Sequence, residues 1–217
     1  MHAGIPPMPT VVWDNSLTAR QQCWDAIADY FAHITDGVGN LIDEGIFELV
    51  VALNILGFDT RQSCAGHTLE ERGSYSAPWV DFEIVLVPEL QLLSKELREL
   101  YNKMEELEAI MNEQDVEEQL YSLYERSDTI QAQISIPVLN VHQRMLLILQ
   151  EFYSDRKVDY ITQIVIIGRG RGFRMECHGS DLLPILPPEQ QAAAVAAYQQ
   201  EFADFCTFLK NKYFSIE

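Results

Sequence analysis

The stretch Asp43–His67, DEGIFELVVALNILGFDTRQSCAGH, decides the fold. Asp43 is a good helix cap, and a helix running to about Asn54 would carry Ile46, Leu49, Val50, Leu53 and Leu56. That nearly unbroken apolar surface predicts a helix laid against a sheet. Gly57 stops it, and Phe58–Ser63 then alternates as a short strand. A tight turn follows, bearing Ser63, Cys64, Gly66 and His67. Reactive side chains on a turn held by a buried helix are a common setting for chemistry.

Working outward, Trp79–Val87 reads as a clearer strand. Val80, Phe82, Ile84 and Leu86 share its core face, while Trp79, Asp81 and Glu83 share the other. Upstream, residues 1–12 hold three prolines and no period, so they form an irregular lead-in. A helix starts near Asn15 or Ser16 and is ended by the glycines at 37 and 39. Downstream, strands are predicted over Tyr160–Ile167 and Phe173–His178, joined by the glycine-rich turn 168–172. A strand follows that turn, so its Gly-x-Gly spacing is not a dinucleotide fingerprint. Pro187 and Pro188 open a last helix reaching about Tyr213. The expected fold class is α+β: a small, mostly antiparallel sheet of about four strands, covered by helices.

From Pro88 the pattern changes. Leu90, Leu93, Leu97, Leu100, Met104, Leu107 and Met111 repeat as a heptad seam, and Leu120, Leu123, Ser127, Ile130 and Ile134 continue a second. The register breaks at 111–115, where Asp115 and Glu118 make a capping pair. The simplest reading is a coiled helical-hairpin insertion over 88–135 in a single domain formed by 1–87 and 136–217. Pro137 then opens a third helix, to about Tyr153. The same seam would alternatively serve as a homodimer interface or dock a protein partner. Between Pro88 and Lys157 there are fourteen acidic and seven basic residues, so such an arm would favour a basic partner.

The chain has 217 residues, 47% of them hydrophobic, which supports a real core. No apolar run approaches the roughly 18 residues that span a bilayer, so no membrane association is expected. The lead-in lacks the layout of a secretory signal, and a cytoplasmic location is expected. Cys23, Cys64, Cys177 and Cys206 are scattered and suit reduced thiols. A net charge of −18 argues against bulk nucleic-acid binding, because phosphate backbones would be repelled.

Five of the ten arginines fall in two windows, 61–72 and 169–174. In so acidic a chain they suggest an anion pocket beside the turn, since arginine forks hold phosphate and carboxylate. The candidate ligand-binding residues are Thr60, Arg61, Ser63, Gly66, Trp79, Asp81, Arg169, Arg171, Arg174 and His178, with Trp79 as a stacking face. The expected partner is a small anionic or nucleotide-like ligand, and the residues do not identify whether a cofactor is used. The competing reading is solvated turn arginines paired with nearby acids. Cys64 and His67 are the candidate catalytic pair, Cys64 as a nucleophile activated by neighbouring cations. A zinc set of Cys64, His67, Cys177 and His178 is disfavoured, because adjacent residues on a strand point to opposite faces.

A helix bearing Leu53-Asn54, then Thr60 on a strand, then Ser63-Cys64-x-Gly66, resembles the tRNA wybutosine-synthesising methyltransferase family. That family carries Thr-x-Ser-Ser-Cys-Ser-Gly-Arg; here Gln62 replaces the first serine and His67 the arginine. The resemblance spans about 25 residues. It implies an α+β fold with this turn at the ligand site, and S-adenosylmethionine and tRNA as ligands. The turn is also similar to that of bacterial proteins of no assigned activity, which carry Ser-Cys-x-Gly-His and then a Pro-Trp-Val strand, as at Pro78-Trp79-Val80.

Overall fold

A computed structural model describes residues 9, 16–36, 38–83, 87–109, 114–169 and 172–215. The chain divides into two compact units, Met1–Glu83 with Met145–Glu217, and Ile84–Arg144.

The first unit is α+β. Helix α1 (Leu17–Ala32) starts where Ser16 Oγ accepts the Ala19 N–H at 3.2 Å, and it buries Trp24, Ile27 and Phe31. Helix α2 (Glu44–Ile55) is the buried one, with every residue from Leu49 to Ile55 inside. Its end is a Schellman motif. Gly57 adopts φ +80°, Gly57 N–H donates to the Asn54 carbonyl, and Phe58 N–H donates to that of Leu53. Strand β1 (Asp59–Cys64) follows at once, so one glycine converts helix to strand within four residues. The short helix α3 (Leu69–Arg72) precedes β2 (Trp79–Glu83). Val80 and Phe82 are buried in β2, alternating with half-buried Trp79, Asp81 and Glu83; residues 84–86, the rest of the expected strand, lie outside the described residues.

The sheet is completed by β3 (Ile164–Arg169) and β4 (Gly172–Cys177). Its order is β1-β2-β4-β3, and every neighbouring pair is antiparallel. The segment 160–162 is a 3-10 turn and not the start of β3, since its Thr162 and Gln163 N–H groups bond back to Asp159. After a further 3-10 segment (Ser180–Ile185), the last long helix (Pro188–Phe214) packs Val195, Tyr198, Phe202, Phe205 and Leu209 inward, chiefly against α2. Each such side chain contributes on the order of 1.5–3 kcal/mol of burial.

The second unit holds α4 (Pro88–Glu108) and most of α5 (Gln114–Phe152), making the last long helix α6. Met104, Val116 and Leu120 are buried together, with Leu107 and Leu123 packed on them. Tyr101 to Gln131 at 3.2 Å and Tyr124 to Glu108 at 2.6 Å show α4 and α5 running antiparallel, and Arg126 to Glu96 at 2.8 Å ties them further. The expected capping pair of Asp115 and Glu118 involves an Asp115 side chain that lies outside the described residues. One expectation is corrected: no new helix opens at Pro137, which sits inside α5. Proline there removes the bond to the Gln133 carbonyl, but residue 133 is exposed, so water can take its place. The second compact unit ends at Arg144, inside α5. No described helix is long and apolar enough to cross a membrane.

Candidate functional site

The turn after β1 is held from three sides. Gly66 takes φ +78°, and a Cβ there would lie 2.9 Å from the Pro78 nitrogen, so only glycine fits. His67 and Ser76 exchange backbone bonds of 2.9 Å in both directions, closing the loop that contains α3. From α6, Gln199 donates to the Ala65 and Gly66 carbonyls, both at 3.2 Å. From the start of α2, one Asp43 oxygen accepts the Ala65 N–H at 3.2 Å while the other takes Arg72. Asp43 makes no capping bond to its own helix. Its carboxylate is spent on the turn.

Cys64 is buried. Its sulfur accepts the Gly66 N–H at 3.4 Å and its thiol lies 3.9 Å from Ser76 Oγ. His67 donates from Nδ1 to the Ser74 carbonyl at 2.8 Å. Thus the two side chains face different loop groups, and no hydrogen bond joins them among the described residues. Cys177 is buried in the core, where burial first and then Glu201 push its thiol far above the ordinary range. Burial likewise raises Cys206 to about 11. His178 is exposed and stacks on Tyr160, ring centroids 4.1 Å apart. Among the described residues, no group of three or more His, Cys, Asp or Glu is placed to hold a metal.

Thr60 and Asn54 have a structural task. Asn54, 2% exposed, donates to the Val50 carbonyl and to Thr60 Oγ1, both at 2.7 Å, pinning α2 to β1. Arg61 falls at a bulge in β1 and pairs with Asp59 at 2.8 Å and Glu83 at 3.3 Å. Arg174 grips both oxygens of Asp81 and lies 3.9 Å over the Trp79 ring. Asp81 first, against the cost of burial, holds the Arg174 guanidinium above its usual range.

The strand register separates residues that the sequence reading had placed together. Cys64 pairs with Trp79 and Trp79 with Glu176, whereas Arg169 pairs with Gly172 and Gly172 with Glu83. Arg169 therefore sits at the opposite end of the strands from the turn, roughly 15 Å away at about 3.3 Å per residue. It does not join an anion pocket at Ser63–His67. Arg171 lies outside the described residues. Arg174 and His178 are also directed elsewhere, to Asp81 and to Tyr160.

What does converge is a cleft of about 460 Å³ beside β1, an edge strand of the sheet. Thr60, Arg61, Gln62, Ser63, Arg72 and Trp79 line it, with Asp43 and Asn40 among the polar groups and Phe31, Ile34 and Leu41 among the apolar ones. Arg72 was not among the expected ligand-binding residues. Its nearness to Arg61 in the sequence was the available signal. Glu176, buried in β4, was missed too, because a glutamate alternating with Met175 and Cys177 reads as solvent-facing. Comparison of the chain with family models, with curated proteins and with solved structures returned no match.

Proposed function

We propose that the protein binds a small anionic, nucleotide-like ligand in the cleft along the edge of β1. The observation that carries this reading is the presence of two guanidiniums, Arg61 and Arg72, in one concave site of a chain with net charge −18. Both side chains are about half exposed, at 48% and 55%. Each therefore keeps solvent-facing donors beyond its carboxylate partner, and an incoming phosphate can add to or displace Asp59 and Asp43. Thr60 and Ser63 add hydroxyls, and Trp79 forms part of the wall. The volume lies within the range of about 300–1,000 Å³ that small-molecule sites occupy.

Native mass spectrometry of the purified chain, followed by a thermal-shift screen of nucleotides, tests this. A bound or stabilising nucleotide is expected, with affinity reduced about tenfold or more in Arg61→Ala/Arg72→Ala. Absence of any nucleotide effect, or unchanged affinity in the double variant, would reject it.

A further inference from the structure

A second, smaller pocket of about 220 Å³ lies on the sheet face away from the core and is lined by Tyr75, Pro78, Trp79, Arg174, Glu176 and Ser180, among others. Glu176 reaches it because β4 pairs with β2 so that Glu176 stands beside Trp79, on the same face as Arg174 and Asp81. The Glu176 side chain is unusual in its surroundings. The residue is 7% exposed, and no described residue hydrogen-bonds to its carboxylate. Ser180 Oγ is likewise buried without a partner. A fully buried hydroxyl without a partner and a largely buried carboxylate without a protein hydrogen bond share this concavity, and a ligand able to bond both is the simplest explanation.

The sign of that ligand follows from the local charges. Arg174, the cation in the lining, already has Nε and Nη2 bonded to Asp81 at 2.6 Å each. The charge left over is that of Glu176. Burial, and then Asp181, raise its carboxyl above the ordinary range, and the attraction of Arg174 and Arg169 only partly opposes this. Among the described residues no cluster of three metal-ligating side chains exists, so a multivalent metal finds too few donors. The volume is below that of drug-sized sites and suits a group of side-chain dimensions.

We propose that this pocket receives a primary alkylammonium group, from a free amine or from a lysine side chain, with Glu176 taking its charge and Ser180 Oγ accepting one of its N–H bonds. Tyr75 and Pro78 wall the alkyl stem. An ammonium carries three donors and no acceptor, which matches a carboxylate beside a hydroxyl. The site shares the Trp79 wall with the anion cleft but has the opposite charge preference, and Glu176 and Ser180 line it alone, so the Glu176 and Arg61/Arg72 variants distinguish failure of one reading from failure of the other.

Calorimetric titration of the full chain with 1,5-diaminopentane, its N,N′-diacetyl derivative and Nα-acetyl-lysine methylamide decides the matter. The amines are expected to bind at one site per chain, and the diacetyl compound not to bind. Glu176→Gln should weaken binding about tenfold or more, while Glu105→Gln, on the exposed surface of α4, should leave it unchanged. Tighter binding of the lysine derivative assigns the pocket to a lysine side chain; tighter binding of the diamine assigns it to a free amine. Equal losses in both glutamate variants would mean diffuse attraction to an acidic surface and would overturn the proposal, as would no binding by either amine. If Glu176→Gln fails to melt cooperatively, Ser180→Ala serves instead; it should weaken binding several-fold, and full retention of affinity would be equally fatal.

Discussion

Arg174 and Asp81 meet through two parallel hydrogen bonds of 2.6 Å across the β2–β4 ladder, and the same guanidinium roofs Trp79 at 3.9 Å. The two side chains are only 18% and 22% exposed, so the pair works as a clasp on the sheet and is poorly placed to hold a ligand's charge. Asp81→Asn removes the charge that offsets a largely buried cation. A loss of about 1–3 kcal/mol in urea unfolding is expected. A double-mutant cycle with Arg174→Ala should show coupling of at least about 1 kcal/mol. Coupling near zero would mean that solvent screens the pair completely.

Gly66→Ala tests the turn. Its positive φ and the 2.9 Å approach of Pro78 leave no room for a methyl group. About 2 kcal/mol of destabilisation or more is expected by denaturant titration. By contrast Gly39→Ala, at φ +92° but with nothing within 4 Å, should incur only the backbone penalty. Equal effects at the two sites would refute the close-packing argument.

Glu176 gives a pH prediction. Burial first, then Asp181, raise its carboxyl in the folded state, while Arg174 and Arg169 act against that and Asp81 adds to it. A raised acid favours folding most when protonated: its contribution is present below the unfolded glutamate range near 4.3 and is lost as pH rises through the higher folded value. Glu176→Gln, which stays neutral, should therefore melt above the parent protein at pH 7. The difference should shrink as pH falls through the folded value toward 4. A melting difference independent of pH would count against a buried, unpaired carboxylate.

Asn54→Ala should be costly although the residue is polar. It leaves the Val50 carbonyl and Thr60 Oγ1 without their 2.7 Å bonds, in a helix where the neighbouring side chains are buried. About 1–3 kcal/mol is expected in chemical denaturation. Thr60→Val should lose less, since it removes only the Oγ1 contact and leaves Asn54 bonded to the Val50 carbonyl and the residue 60 N–H. The reverse ranking would show that Thr60 matters more to the cleft than to the clasp.

In the second unit, Ile130 is fully buried and Leu120 nearly so. Either residue changed to alanine should lower stability by about 2–5 kcal/mol. If α4 and α5 close on each other within one chain, light scattering should find a monomer, and Leu97→Glu with Leu100→Glu should unfold the pair without changing the mass. A dimer that dissociates in this double variant would instead assign the seam to an interface between copies.

Local rules made much of the fold legible. Gly57 ends α2 and Pro188 opens α6 because each residue restricts its own backbone, and the alternation of Val80 and Phe82 with Trp79 and Asp81 shows at a period of two. The amphipathic stripe of α6 is likewise a matter of spacing within one helix. Pro137 shows the limit of such rules: tolerance of a proline depends on whether the carbonyl it orphans faces water, and only packing decides that. Thr60, Arg61, Ser63 and Trp79, which line the cleft, stand out in the sequence, but the pairing of the charges around them lay beyond local information. Asp43 and Arg72 are 29 residues apart, and Asp81 and Arg174 are 93 apart, so which arginines are spent on acids follows from strand order and register. Register also carried Arg169 to the far end of the sheet from Cys64. Periodicity determines which face a side chain takes, but pairing between distant strands determines what stands beside it, and the chemistry of a site depends on the second.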